Sequence, residues 1–281
     1  AATLSAGAGA ASAAPEAPEL VPCYDRAREL VQQVARSACT GEVVTPERAA
    51  ALRAAQLRAR AARLGGAFRR PESQPATRNG SGVVVSPDGH VLTARHVVEG
   101  CGQLTVRLPD QSEVRATALR QAADRDLAVL RLDAPAATWA RLAAAPARDG
   151  SAVTVAGYPV RGRLTVRPVQ VSGPVVGALR IDGLGGVKMA LGLRVHPGLS
   201  GGPVVGPDGR VVGVVIAMLD RSAVFQEHGH LPPATAFAEP LADLRALLTA
   251  AGVVLPDESV QSAGAAGIAA ATVRIDCAAG R

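Results

Sequence analysis

Residues 197–217 read PGLSGGPVVGPDGRVVGVVIA, and this stretch decides which fold class the sequence predicts. Two valine-rich runs flank a Pro-Asp-Gly turn; valine favours β-strands, and Asp-Gly favours tight turns between antiparallel strands. The same arrangement, VVVSPDGHVLTA, occurs at 83–94. The two stretches predict two β-hairpins, one in each half of a mostly antiparallel β structure.

Short strand-like runs fill most of the chain between and around these hairpins. They occur near 103–108, 112–120, 127–132, 152–156, 164–177 and 187–191. No helical patterns separate them, as a parallel sheet would require, so we expect antiparallel sheet. Residues 240–252, PLADLRALLTAAG, have the spacing of an amphipathic helix that closes the domain.

The N-terminal part differs from the rest in composition. Residues 1–19 are small and interrupted by proline, which predicts a flexible tether. Apolar residues recur at helical spacing over 24–37, and Thr45 before Pro-Glu marks the N-cap of a second helix. We therefore expect an α-helical hairpin over 20–68, and a mixed C-terminal tail over 253–281.

Charge and hydrophobicity exclude some classes of function. The 30 basic and 24 acidic residues give a net charge of +6, but the arginines are spread along the chain and aromatic residues make up only 2%. This predicts no nucleic-acid binding. The longest apolar run, 211–219, is short of the roughly 20 residues that span a bilayer, so we expect no stable membrane insertion. A start without Met suggests either a processed export product or a trimmed chain, and we expect export.

Four cysteines are an even number, which fits two disulfide bonds in an oxidising compartment, with unpaired buried thiols as the alternative. If 24–37 is one helix, Cys23 and Cys39 lie about 24 Å apart, and a disulfide needs Cα atoms within about 7 Å. We therefore expect these two not to pair. With all four oxidised, Cys101 and Cys277 would not pair either, and the bonds would tie the N-terminal segment to the main domain and its tail.

Ser200 lies in PGLSGGPV (197–204), whose letters fit two unrelated hydrolase patterns. In one, Gly-x-Ser-x-Gly joins a strand to a helix, and an acid and a histidine follow in the chain. Here a β-hairpin follows instead, so this pattern does not fit. In the other, histidine, aspartate and serine come in that order in an antiparallel double barrel.

Four stretches carry a family resemblance: GSGVVVSPDGHVLTARHVVEGC (80–101), DRDLAVLRLD (124–133), PGLSGGPVVGPDGRVVGVVIAML (197–219) and TAFAEPLADLRALL (235–248). They resemble the successive motifs of chymotrypsin-like serine proteases, closest to the bacterial HtrA/Deg branch. The resemblance covers about 78–250. It implies a mostly β protease domain over 69–252, with two six-stranded antiparallel barrels at about 78–146 and 150–238. We expect no PDZ domain, since few residues follow the closing helix.

The resemblance also implies a catalytic triad. By this resemblance, His96 is the general base, Asp126 the aspartate and Ser200 the nucleophile of the triad. The backbone N–H groups of Gly198 and Ser200 are then expected to form the oxyanion hole. Leu199 stands where the family usually has asparagine. A serine hydroxyl attacks effectively only when a base accepts its proton, and histidine, with a reference pKa near 6.5, suits that task.

Two alternatives concern the site residues. Asp124 lies two residues before Asp126 and would share its face of an extended strand, but Asp126 directly precedes the buried run LAVLRL and is preferred. His228 and His230 are spaced as a metal pair, but no third histidine accompanies them. We expect a solvated loop there, and no metal or organic cofactor.

The resemblance places the S1 pocket at Arg194 and Val195, before the nucleophile, and at Val214, Val215 and Ile216, after it. The aliphatic residues favour a small aliphatic P1 side chain. Arg194, at the pocket floor, would instead favour an acidic one, and it would favour neither if its charge points to solvent.

The function predicted from these motifs is that of a serine endopeptidase acting on protein or peptide substrates, in the periplasm or secreted. A latent or non-catalytic peptide-binding or scaffold module on the same fold would give the same sequence pattern.

Overall fold

The computed structural model describes residues 19–27, 30–52, 55, 77–161, 163–164, 167–181, 184–228, 230–256 and 267–279. The chain divides into two compact units, Ala1–Gln56 and Leu57–Arg281. The predicted tether, except for residue 19, lies outside the described residues. In the described part, no helix is long and apolar enough to cross a membrane.

The first unit contains a three-stranded antiparallel sheet, so the helix predicted over 24–37 is wrong. Its strands are β1 (Leu20–Asp25), β2 (Leu30–Ala35) and β3 (Glu42–Val43), in the order β2-β1-β3. Val21 and Cys23 alternate inward along β1 and are buried, which is the period of a strand. The branched valines at 31 and 34 fit a strand as well as a helix face, and the local spacing did not separate the two.

A helix, α1, follows at 46–52. The Oγ1 atom of Thr45 accepts a hydrogen bond from the N–H of Arg48 at 3.2 Å, which is the contact expected of an N-cap threonine. The rest of the predicted second helix, apart from residue 55, lies outside the described residues.

Both disulfide bonds contradict the predicted pairing. Cys23 is bonded to Cys39 with their Cα atoms 5.6 Å apart, and Cys101 is bonded to Cys277 with their Cα atoms 5.5 Å apart. The error follows from the helix assignment, because β2 turns back along β1 and returns the chain towards Cys23. Each bond therefore lies within one unit.

The second unit contains two closed six-stranded antiparallel β-barrels, as predicted. The first contains β4 (Thr77–Val84), β5 (His90–Thr93), β6 (Cys101–Arg107), β7 (Glu113–Gln121), β8 (Ala128–Leu132) and β17 (Thr272–Ala279). The second contains β9 (Ala152–Gly157), β12 (Val169–Arg180), β13 (Val187–Leu191), β14 (Pro203–Val205), β15 (Val211–Met218) and β16 (Ala236–Pro240). Hydrogen bonding orders the strands of the first barrel β17-β4-β5-β8-β7-β6 and those of the second β12-β13-β16-β15-β14-β9. A short hairpin, β10 (Val160–Arg161) and β11 (Arg163–Leu164), follows β9.

The predicted C-terminal tail contains a barrel strand, β17, which was not expected. It pairs with β4 and β6 and closes the first barrel. Val273, Ile275 and Cys277 alternate inward and are buried. Closure leaves neither β4 nor β6 with an unpaired edge. The first barrel is therefore not contiguous in sequence, contrary to the predicted range of 78–146.

Among the described residues of this unit, the α-helices are α2 (Arg95–Val98), α3 (Arg221–His228) and α4 (Leu241–Ala250). The last lies within the range 240–252 predicted for a closing helix, and it buries Leu241, Leu244, Leu247 and Leu248. The largest core cluster consists mainly of valine, leucine and alanine from both barrels, as expected for a chain with so few aromatic residues.

A buried polar group at the hairpin of the first barrel links stability to pH. The Oγ atom of Ser86 lies 2.7 Å from Nδ1 of His90, and Nη1 of Arg131 lies 3.1 Å from Nε2 of the same ring. His90 is only 8% exposed. Burial and the charge of Arg131 lower the pKa of His90 from 6.5, and Asp88 opposes them. The folded protein therefore binds a proton on His90 less readily than the unfolded chain does.

We expect the free energy of unfolding to fall as the pH drops through about 6.5, because the unfolded chain then binds a proton that folded His90 excludes. Denaturant titrations at about pH 7.5 and about pH 5.5 measure this change. His90→Asn should lose part of the pH dependence. An unchanged pH dependence in His90→Asn would contradict the assignment.

Candidate active site

His96 and Asp126 meet because the two strands beside them are paired. β5 runs into α2, which carries His96, and Asp126 lies just before β8; in the register of β5 and β8, Thr93 is opposite Ala128. Nδ1 of His96 lies 2.6 Å from Oδ2 of Asp126, and the backbone N–H of His96 donates to Oδ1 at 2.9 Å. Two contacts therefore hold the carboxylate against the histidine.

The electrostatics of this pair favour an ionised carboxylate. The side chain of Asp126 is 17% exposed and that of His96 is 40% exposed. Burial by itself would raise the pKa of Asp126, but the hydrogen bonds and charge of His96, with the charge of Arg95, hold that pKa below 3.8. An ionised Asp126 accepts a hydrogen bond from the N–H at Nδ1, which leaves Nε2 of His96 able to accept a proton.

Ser200 lies in a loop held against the first barrel. The N–H of Ser81, in β4, donates to the carbonyl oxygen of Ser200 at 2.8 Å. A Cβ atom added to Gly80 would lie 2.5 Å from Cγ1 of Val97 and 3.1 Å from the same carbonyl oxygen. The backbone of Ser200 therefore packs closely against β4. The same strand contacts Val97 of α2, the residue that follows His96.

The rest of the loop is fixed by two glycines and a buried leucine. Gly198 has φ 93° and Gly201 has φ 84°, values that favour glycine. The N–H of Gly201 donates to the carbonyl oxygen of Val215 at 2.7 Å. Leu199, where the family usually has asparagine, is 0% exposed and lies in the main core cluster. An apolar side chain therefore anchors this loop.

The N–H groups of Gly198 and Ser200 have no hydrogen-bond acceptor among the residues that the structure describes. The carbonyl oxygen of Gly198 is engaged, since it accepts a bond from Oγ of Ser81 at 2.7 Å. Oγ of Ser81 also accepts a bond from the N–H of Tyr158 at 2.8 Å. The two predicted oxyanion donors therefore have no acceptor among the described residues, and their role stays a prediction.

The predicted S1 residues separate into two groups. Arg194 is exposed, whereas Val195, Val214, Val215 and Ile216 are buried. Val214 and Val215 pack in the main core cluster. An exposed Arg194 favours neither an aliphatic nor an acidic P1 side chain.

His228 and His230 are spaced as a metal pair, but a solvated loop is expected there in preference; the structure places His228 at the end of α3. His230 is exposed, and the side chain of His228 lies outside the described part. Within the described ranges, no three His, Cys, Asp or Glu side chains are grouped so that they could hold one metal ion.

Several residues that hold the site were not predicted from the sequence. Ser81 bonds to the nucleophile loop, and Oγ1 of Thr93 donates to the carbonyl oxygen of Ser81 at 2.7 Å. Glu239 accepts a bond from the N–H of Asp126 at 3.0 Å. Nothing in the local sequence marks these contacts, because those of Ser81 and Glu239 join segments more than 100 residues apart in the chain.

The comparisons with known proteins agree with this geometry. A family model described as a trypsin-like peptidase domain matches residues 80–214. An uncharacterized protein, y4bJ of Sinorhizobium fredii, is 33% identical over 185 residues, 65% of this chain and 29% of its own. A probable periplasmic serine endoprotease, DegP-like, of Hahella chejuensis is 32% identical over 163 residues, 58% of this chain and 34% of its own.

Among solved structures, the HtrA-type protease AlgW with a decapeptide is similar at 25% identity and a TM-score of 0.52, covering 61% of this chain and 51% of that one. The chain spans about a third of the length of the curated relatives it matches. Residues 80–214 thus match a trypsin-like peptidase domain, and the chain is similar to DegP/HtrA-like serine proteases.

Proposed function

We propose that the protein is a serine endopeptidase that cleaves peptide bonds with His96, Asp126 and Ser200. The observation that carries this proposal is the contact of 2.6 Å between Nδ1 of His96 and Oδ2 of Asp126, formed beside the Ser200 loop. This is the arrangement that a base needs in order to accept a proton through its other ring nitrogen.

In the proposed reaction, Oγ of Ser200 attacks the carbonyl carbon of the peptide while Nε2 of His96 takes the hydroxyl proton. Asp126 stabilises the imidazolium that forms, and the N–H groups of Gly198 and Ser200 stabilise the oxyanion, each donor contributing about 3–4 kcal/mol. His96 then gives its proton to the leaving amine as the C–N bond breaks. Water, activated by the same base, hydrolyses the acyl-enzyme.

The substrate class and location are proposed on the same basis. We propose protein or peptide substrates, because the AlgW structure contains a decapeptide and the Hahella relative is described as an endoprotease. We propose that the protein acts after export, because that relative is described as periplasmic and both disulfide bonds fit an oxidising compartment. A small aliphatic P1 residue stays a prediction, and Arg194 lends no support to an acidic one.

A fluorophosphonate probe is expected to label the full chain at Ser200, because the probe reacts with a serine activated by a base. Mass spectrometry of the labelled peptide gives the position, and Ser200→Ala should abolish labelling. The labelling rate should also fall as the pH is lowered, since a protonated His96 accepts no proton. A correctly folded wild-type protein that stays unlabelled would favour the non-catalytic peptide-binding module instead.

A further inference from the structure

Lys188 and Glu239 form an ion pair inside the second barrel. Nζ of Lys188 lies 2.7 Å from Oε1 and 2.8 Å from Oε2 of Glu239, and both side chains are 0% exposed. Lys188 is the only lysine of the chain. Apolar residues of similar volume often replace a buried ion pair without loss of stability, so stability alone does not explain this pair.

The pair extends to the first barrel. Lys188 lies on β13 and Glu239 on β16, which are neighbouring strands. Oε1 of Glu239, besides binding Lys188, accepts a hydrogen bond from the backbone N–H of Asp126 at 3.0 Å. The carboxylate of Glu239 therefore reaches the residue whose own carboxylate binds His96.

The charges around Glu239 come from the same region. Lys188 faces it directly, and Arg125 and Asp243 lie nearby, with Nε of Arg125 bonded to Oδ2 of Asp243 at 3.1 Å. Burial raises the pKa of Glu239 to about 7, opposed by Lys188 and by the N–H of Asp126. Lys188 is thus the cation that directly faces the carboxyl group holding the N–H of Asp126.

We propose that Lys188 and Glu239 are positioning residues, which fix the backbone of Asp126 from the second barrel and so set the orientation of His96. The proposal rests on the proposed function. The N–H of Asp126 donates to Glu239. The side chain of Asp126 binds both the ring and the backbone N–H of His96. Without Oε1 of Glu239 as acceptor, the backbone of Asp126, just before β8, is no longer held. A shift of about 1 Å at a catalytic group lowers the rate about 100-fold.

The test compares two double variants that remove both charges and differ in the acceptor. Lys188→Met with Glu239→Gln keeps an amide oxygen for the N–H of Asp126, and Lys188→Met with Glu239→Leu does not. We expect the Leu variant to be labelled by the fluorophosphonate at least about tenfold more slowly than the Gln variant. Thermal unfolding of both, and of the core variant Leu248→Ala, separates loss of stability from loss of position.

A second measurement does not depend on catalysis. The proton between Nδ1 of His96 and Asp126 is expected to give a downfield ¹H NMR resonance, assigned by its loss in His96→Asn. It should persist in the Gln variant and broaden or move upfield in the Leu variant. Equal labelling rates and equal spectra in the two double variants would overturn the positioning role. An unlabelled wild-type protein with the expected NMR contrast would instead overturn the proposed function and leave the positioning of Asp126 supported.

Discussion

Asp126→Asn is expected to slow labelling of Ser200 about 10⁴-fold while leaving the fold intact. The amide that replaces the carboxylate presents either an oxygen or an NH₂ group to Nδ1 of His96, where the wild-type distance is 2.6 Å. The backbone N–H of His96, which donates to Oδ1 in the wild type, requires the amide oxygen at that position, so the NH₂ group faces Nδ1. Nδ1 must then accept a hydrogen bond, and the ring proton moves to Nε2. A protonated Nε2 no longer accepts the serine proton, and the base is lost.

The matched control is Asp124→Asn, two residues earlier in the same loop. The side chain of Asp124 is 78% exposed and pairs with Nη1 of Arg125 at 2.6 Å. An exposed ion pair contributes only about 0–1 kcal/mol, so this variant should label within about threefold of the wild-type rate. Second-order labelling rates and circular dichroism measure both variants. A large loss in Asp124→Asn with little loss in Asp126→Asn would exchange the roles of the two aspartates.

The parts of the fold that depend on local chemistry could be predicted from the sequence. Both Pro-Asp-Gly turns end in a glycine at positive φ, 85° at Gly89 and 74° at Gly209, and the flanking valine runs form strands. β17 could not be assigned in the same way, because its partners in β4 lie almost 200 residues earlier in the chain, as in the pairing of Arg78 with Cys277. Apolar residues alternate along β17, as in a strand, but the local sequence does not show which strands it pairs with.

The N-terminal error has a different cause. The spacing of apolar residues over 24–37 fits a helix, while Val21 and Cys23 fit a strand, and pairing across the sheet decided between them. The helix then excluded the disulfide bond that exists between Cys23 and Cys39. One wrong local assignment therefore produced a second wrong prediction about covalent structure.

The motifs predict the histidine, aspartate and serine of the candidate site. They do not predict the residues that hold these three in place. The order of histidine, aspartate and serine was legible because each stands in a recognisable motif. Ser81 and Glu239 hold the nucleophile loop and Asp126 through contacts that span 117 and 113 residues. Such contacts exist only once the two barrels are packed together.

Gly201→Ala is expected to disrupt the nucleophile loop severely. A Cβ atom at this position would lie 2.1 Å from the carbonyl oxygen of Ser81 and 2.2 Å from Oγ1 of Thr93. The oxygen of Ser81 belongs to the backbone of β4, which is paired on both sides, so the loop must move instead. We expect labelling of Ser200 to fall at least about 100-fold.

Gly209→Ala separates the steric effect from backbone strain. Gly209 has φ 74° and Gly201 has φ 84°, so alanine at either position adopts the left-handed region at a similar cost of about 1–2 kcal/mol. A Cβ atom at Gly209 would meet nothing within 4 Å. Denaturant titrations should therefore show Gly201→Ala to be less stable than Gly209→Ala by about 1–3 kcal/mol, and only Gly201→Ala should lose labelling. Equal stability and equal labelling would mean that the loop has room for a side chain beside Ser81, and that the packing between β4 and Ser200 does not constrain the nucleophile.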